Sequence, residues 1–164
     1  MTREELQVRE RLELLGIACE RYEHPPIATA EEGDRYWGGI QATHSKNLFL
    51  RNQKGDRHYL LIVMHSKRVD LKRVAGQIGD GKLSFASPER LLKYLGVTPG
   101  SVSPFGLMND HDRVVRVFLD RDLETADRVS FHPNINTVTL SLAREEFLRF
   151  VHDTGHRIEY VDVS

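Results

Sequence analysis

The residue types that could do chemistry fall in three short stretches. In Ser45-Lys46-Asn47-Leu48-Phe49-Leu50 an ammonium and a carboxamide stand at the mouth of an apolar run. The run reads as a strand, with turn-forming Asn52 and Gly55 close behind. Strand side chains alternate between faces, so Lys46 shares a face with Leu48 and Leu50, and Asn47 shares the other with Phe49. Apolar residues on both faces mark a strand buried on both sides. A lysine at its head either snorkels to water or meets an anion. The second stretch is Gly100-Ser101-Val102-Ser103-Pro104. Glycine lets a ligand approach the backbone and proline stiffens the exit, so this loop could aim N–H groups at a phosphate or a developing oxyanion. The third, His132-Pro133-Asn134, falls at a turn between two predicted strands. Each has a structural reading too: a strand-end lysine, a surface loop, a rigid hairpin turn.

Several other chemistries find no support. The chain has eight histidines but no H-E-x-x-H motif, and its single cysteine cannot build a thiolate site, so no metal is expected. Cys19 follows a helix end among apolar residues and reads as a small core residue. Neither a Gly-x-Ser-x-Gly elbow nor a G-x-x-x-x-G-K-[ST] phosphate loop occurs. A net charge of -1 argues against broad, nonspecific nucleic-acid binding and leaves room for a small basic patch. No apolar run approaches the ~20 residues that span a membrane. The charged, helix-forming residues 1–10 do not read as a secretory signal. One cysteine excludes an internal disulfide and fits a reducing compartment, so a cytoplasmic location is expected.

The elements that must position these stretches follow from periodicity. With 164 residues, a single domain over 1–164 is the default. Residues 2–15 read as an amphipathic helix with Leu6, Leu12 and Leu15 at helical spacing, a Thr2/Glu5 capping box, and Gly16 at the end. A short strand over 17–23 stops at His24-Pro25-Pro26. Thr29 is expected to cap a helix that ends at Gly38-Gly39. Strands are predicted over 40–43, 46–51 and 57–64, with 52–56 a hairpin loop and the apolar run 60–64 the central strand. Asp70 caps a helix through Ala75. Residues 82–86 form a short strand, and Ser87-Pro88-Glu89 opens a helix ending at Leu95-Gly96. Residues 98–104 are loop, 114–119 and 129–131 strands, and 137–142 a strand alternating Thr with apolar residues. A closing helix over 143–152 presents Phe147, Leu148 and Val151 to the core, and 158–161 is the last strand. The expected fold is a single α/β domain: a mixed, mostly antiparallel, barrel-like sheet with flanking helices.

In order and spacing the three stretches together resemble the prolyl-tRNA editing family, the YbaK-like domain found free or inserted in prolyl-tRNA synthetases. The resemblance runs nearly the whole chain. It takes in Tyr22-Glu23-His24-Pro25-Pro26, Thr43-His44-Ser45-Lys46-Asn47-Leu48-Phe49-Leu50 and Lys82-Leu83-Ser84-Phe85-Ala86. It continues through Leu95-Gly96-Val97-Thr98-Pro99-Gly100-Ser101-Val102-Ser103-Pro104-Phe105-Gly106-Leu107 and closes with Phe131-His132-Pro133-Asn134. The Lys-Asn-Leu-Phe-Leu form most resembles the free-standing branch that deacylates alanyl-tRNA(Pro); the cysteine-specific branch is a close relative.

The resemblance implies a cytoplasmic hydrolase, without metal or cofactor, that cleaves the ester between a wrong amino acid and the 3′ ribose of tRNA(Pro). A synthetase built for proline cannot reject smaller alanine by binding alone, so a second, smaller pocket hydrolyses what the first admits. The implied partner is the mischarged tRNA(Pro) acceptor end, with prolyl-tRNA synthetase as a further candidate, and neither membrane nor DNA. Lys46, supported by Asn47, is implied as catalytic, holding the terminal nucleotide. Gly100, Ser101, Val102, Ser103 and Pro104 are implied to cradle the adenosine end and ester carbonyl, and His132 with Pro133 to wall the acyl pocket. Arg51, Lys54, Arg57, Lys67 and Arg68 are candidates for the acceptor stem or for a solvated charged face. A non-catalytic aminoacyl-tRNA-binding module is the alternative.

Overall fold

The computed structural model describes residues 1–27 and 30–164. Its helices are α1 (Arg3–Leu14), α2 (Ala30–Trp37), α3 (Leu71–Ile78), α4 (Pro88–Leu95) and α5 (Arg144–Asp153). Its strands are β1 (Glu20–Glu23), β2 (Thr43–Arg51), β3 (His58–Met64), β4 (Ser84–Phe85), β5 (Val115–Asp120), β6 (Arg128–Phe131), β7 (Val138–Ala143) and β8 (Ile158–Val161). They form one mixed sheet ordered β1-β7-β6-β2-β3-β5-β8, with β4 also pairing β2. The pairings β1–β7, β2–β3, β2–β4 and β6–β7 are antiparallel; β2–β6, β3–β5 and β5–β8 are parallel. Among the described residues no helix is long and apolar enough to cross a membrane.

The sheet curls around one core. Phe49 of β2, Leu60 and Ile62 of β3, Val117 and Leu119 of β5, Phe131 of β6 and Leu140 and Leu142 of β7 join a single buried cluster with Phe147 and Phe150 of α5. Strands near both ends of the order therefore share their inner faces. The opposite face of β2, β3 and β5 buries Leu50, Leu61, Val63 and Phe118 against Val74 and Ala75 of α3. β3 thus lies between β2 and β5 with both faces covered, as its unbroken apolar run predicts. Its hairpin to β2 is closed by the Asn52 Oδ1, which accepts from Asp56 N and Arg57 N, each at 3.1 Å.

Several elements differ from the sequence expectation. Residues 40–42 form no separate strand, because a turn bond from Ile40 N to the Trp37 carbonyl folds them against α2. β2 instead runs unbroken from Thr43, so Lys46 sits within the strand and not at its start. Leu6 is exposed and α1 buries Glu5, Val8 and Leu12. Thr2 accepts from Glu5 N as a cap, but the Glu5 carboxylate turns to Arg21, so only half of the capping box forms. The expected cap Thr29 lies outside the described residues. The helix after Asp70 continues to Ile78, where Gly79 with φ 82° ends it. The strand at 82–86 shrinks to two residues, and 3-10 turns at Pro104–Asn109 and Arg121–Thr125 stand where none is expected.

Candidate active site

The site begins with the even-numbered face of β2. In the β2–β3 ladder Lys46 is opposite Val63 and Leu48 opposite Leu61. Leu48 and Leu50 turn to the α3 side while Phe49 enters the main core, so Lys46 and Asn47 do point to opposite faces. Lys46 is half-buried, and its Nζ donates to the Lys67 carbonyl. It therefore neither snorkels freely nor faces an anion among the described residues: a backbone oxygen holds it.

β2 pairs with β6 only at Thr43↔Val129 and His44↔Ser130. One further step of two residues along both strands sets Lys46 level with His132. The strands have parted by then, and β2 acquires its next partner, β4, only at Leu50. Antiparallel pairing directs alternate residues' N–H and C=O groups to one neighbour. His65 N donates to the His44 carbonyl at 2.9 Å, so the even residues of β2 face β3, and the Phe49 carbonyl, on the other edge, accepts from Ala86 N at 2.9 Å. Asn47's N–H and C=O therefore look into the gap between β2 and β6, without a partner among the described residues. Its side-chain Oδ1 is buried without a hydrogen bond, and so is that of Asn134. Asn47 offers its backbone to the gap, not its side chain to the Lys46 face.

The outer face of β6 and β7 completes the surface. Thr139 and Ser141 alternate with core-facing Val138, Leu140 and Leu142. Buried Trp37, from the end of α2, lies over this face. Its ring stacks on His44 at 4.9 Å between centroids and 18° between planes, meets His65 edge-on at 4.9 Å, and lies 6.1 Å from His132. Its Nε1–H donates to Thr139 Oγ1 at 3.2 Å, and the same hydroxyl lies 2.7 Å from His24 Nε2. Because His24 Nδ1–H donates to the Pro25 carbonyl at 2.9 Å, a neutral His24 accepts the Thr139 proton at Nε2. Trp37, Thr139 and His24 thus form a closed donor chain, and the His24 ring lies 5.7 Å from that of His132.

His132 has one ring nitrogen to offer. Its Nδ1–H donates to the Val138 carbonyl at 2.9 Å, which leaves Nε2 as an acceptor in the neutral ring. Burial pushes the His132 pKa down; the Val138 bond opposes this and neighbouring His24 adds to it. His44 is likewise lowered by burial, against hydrogen bonds that the ring donates to the Trp37 and Ile40 backbone carbonyls. His44 Nδ1 lies 2.5 Å from Ser130 Oγ. Burial favours the neutral form of both rings.

The glycine-proline loop reaches the same region from another side. Gly100 has φ 89°, in the region that favours glycine, and a Cβ there would lie 3.7 Å from Asn136 Nδ2. The loop therefore abuts the β6–β7 connection that carries His132, Pro133 and Asn134. Ser101 N donates to the Thr98 carbonyl at 3.0 Å, and the fully buried Ser103 caps the 3-10 turn by accepting from Phe105 N at 3.1 Å. Gly100, Val102 and Ser103 keep N–H groups without a partner among the described residues. Pro104 and Pro133 are buried, and Val102 packs against the core.

The basic candidates divide. Arg51 donates to the Asn52 and Gln53 carbonyls within its own hairpin loop, and Lys67 pairs with Asp120 and Asp122. Lys54, Arg57 and Arg68 are exposed. Arg51 lies five residues along β2 from Lys46, about 17 Å away at ~3.3 Å per strand residue. Among the described residues no group of three or more His, Cys, Asp or Glu is arranged to hold a metal ion. Sequence reasoning missed Trp37, His44, His65, Thr139 and Ser130. The alternation at 137–142 already set Thr139 opposite the core, and His44 stands two residues before Lys46 on its own face.

This architecture agrees with what the chain resembles. The sequence profile of the aminoacyl-tRNA editing domain matches residues 24–150, and the chain belongs to that family. It is 39% identical over 153 residues to the prolyl-tRNA editing protein ProX of Acetoanaerobium sticklandii, covering 93% of each chain. It is 37% identical over 152 residues to prolyl-tRNA synthetase associated domain-containing protein 1 of Bos taurus, covering 91% of this chain and 89% of that one. A solved structure of a candidate trans-editing enzyme for prolyl tRNA synthetase superposes with a TM-score of 0.75 at 24% identity, covering 100% of this chain and 98% of the other, and supports the fold.

Proposed function

We propose that this protein is a trans-editing deacylase that hydrolyses alanyl-tRNA(Pro) at the 3′ ester. The observation that carries the reading is the His44↔Ser130 pairing of β2 with β6, which turns the faces of Lys46 and His132 to one surface, while the 100–104 loop abuts Asn136 in the connection that follows His132. Lys46 Nζ has three donors, and the Lys67 carbonyl takes one. The remaining two are suited to a ribose or phosphate oxygen of the terminal nucleotide. The free N–H groups of the 100–104 loop are suited to the ester carbonyl as it becomes an oxyanion. The Asn47 backbone supports the same gap. His132, with Pro133, walls the acyl pocket and limits its bulk.

In the reaction water bonds to the ester carbon, the bond to the ribose oxygen breaks, and the proton of water passes to that oxygen. Free alanine and intact tRNA result. The vicinal ribose hydroxyl of the substrate assists in activating water, while the protein positions the ester and excludes proline. A tRNA(Pro) acceptor end is the partner, with prolyl-tRNA synthetase as the source of the mischarged substrate. Parallel deacylation of alanyl-, cysteinyl-, seryl- and prolyl-tRNA(Pro) tests the reading. Alanyl turnover should lead and prolyl should be spared. Faster cysteinyl turnover would reassign the acyl group, and no turnover of any ester would leave a binding module.

A further inference from the structure

We propose that Lys67 and Asp120 are positioning residues that set the ammonium of Lys46; this rests on the deacylase reading above. Asp120, at the end of β5, is fully buried. A carboxylate in such a place is stable only when its oxygens are compensated. Oδ2 accepts from Met64 N at 3.1 Å, and Oδ1 accepts from Asp122 N at 3.1 Å and from Lys67 Nζ at 2.8 Å. The Lys67 ammonium also meets the exposed Asp122 at 2.5 Å.

These bonds fix one short turn. Lys67 N donates to the Met64 carbonyl at 3.1 Å, closing residues 64–67. Met64 N at one end of the turn and Lys67 Nζ at the other bind the same carboxylate. The turn presents its Lys67 carbonyl to Lys46 Nζ. Its His65 donates its N–H to the His44 carbonyl and sets its ring edge against Trp37. One buried charge therefore fixes the turn that holds Lys46 and touches two further members of the site. Capping of the Arg121–Thr125 turn accounts for the Asp122 contact alone. It leaves the bonds to Met64 and Lys67 unexplained, and both of those lead to Lys46.

The test compares wild type with Lys67→Met, Lys67→Arg and Asp120→Asn. One arm is single-turnover hydrolysis of alanyl-tRNA(Pro) at saturating protein. The other is the NMR resonance of the Lys46 ε-methylene in the free protein, assigned by its loss in Lys46→Ala. A displacement of ~1 Å can cost ~100-fold in rate. The Met64–Asp120 bond survives in Lys67→Met, so we expect a loss of roughly tenfold in the rate at saturating protein. Lys67→Arg should restore the rate, since a guanidinium reaches both carboxylates. Asp120→Asn keeps the shape, removes the charge and should lose rate in the same direction. In Lys46→Ala, the added Lys67→Met should cost nothing more. The Lys46 resonance should shift in Lys67→Met and return in Lys67→Arg. Full rate with an unmoved resonance in Lys67→Met would overturn the inference, as would a rate loss that persists without Lys46. If wild type turns over no ester, the deacylase reading falls, and the resonance alone decides whether the clamp sets Lys46.

Discussion

Replacing His132 by Ala tests how the acyl pocket chooses its substrate. The imidazole is half-buried among Trp37, His24 and the start of β7, and its Nδ1–H satisfies the Val138 carbonyl. Truncation removes that donor, and an orphaned, part-buried carbonyl costs ~1–3 kcal/mol. A chain of this size should therefore melt several degrees lower, at roughly 2–4 °C per kcal/mol, yet remain folded. Proline is larger than alanine by two ring carbons. Relief of a methylene-sized constraint is worth ~1–3 kcal/mol, or about 10–200-fold in discrimination. The alanyl rate should fall and the prolyl-to-alanyl ratio should rise within that range. Parallel single-turnover time courses on alanyl- and prolyl-tRNA(Pro), beside a melt, measure both. An unchanged ratio in the folded variant removes His132 from the pocket wall.

Other perturbations probe neighbouring parts. Gly100→Ala meets Asn136 at an ordinary distance, so its only penalty is the positive φ, about 1–2 kcal/mol; melting should drop slightly and deacylation more, and an unaffected rate would free the loop from a role. Trp37 is the single tryptophan, so binding a non-hydrolysable alanyl-adenosine amide should change its emission; an unaltered spectrum at saturation would place the ligand elsewhere. Burial lowers the His132 and His44 pKa values below that of the unfolded chain, so below pH ~6.5 the unfolded state binds more protons and stability falls. Asp110 is also held low, against its burial, by His156 and by the Val114 and Val115 backbone, which adds a further loss at pH values under the ordinary carboxylate range. Melting temperature should hold above pH ~6.5 and decline beneath it; a flat profile down to pH ~5 would contradict the burial argument.

Much of the fold is written in local pattern. The apolar run of β3, the Asp70 and Ser87 caps and the 158–161 strand are all found where periodicity and capping chemistry set them. What local pattern cannot show is which strands meet. The parallel β2–β6 contact joins residues 86 positions apart, and only that contact turns His44, Lys46, Ser130 and His132 to one surface. The Leu6 expectation failed for a related reason: helical spacing defines a stripe but not its orientation, and Val8 and Leu12 took the inner side with Glu5, which Arg21 neutralises. The opposed faces of Lys46 and Asn47 were readable from alternation alone. The partner of Lys46 was not, because it is a backbone carbonyl that any residue at position 67 would supply.

The most direct test of the account is Lys46→Ala in single-turnover hydrolysis of alanyl-tRNA(Pro), with a thermal melt on the same preparation. The substitution removes no side chain of either buried cluster, so the melt should stay close to wild type. The rate should fall by about 100-fold, the expected result of losing the group that fixes the ester to within ~1 Å. Lys46→Arg should also be impaired, because a planar guanidinium is wider than an ammonium. Near-wild-type turnover by a well-folded Lys46→Ala protein would contradict the central claim, and a lost rate that tracks a collapsed melt would assign Lys46 to the scaffold.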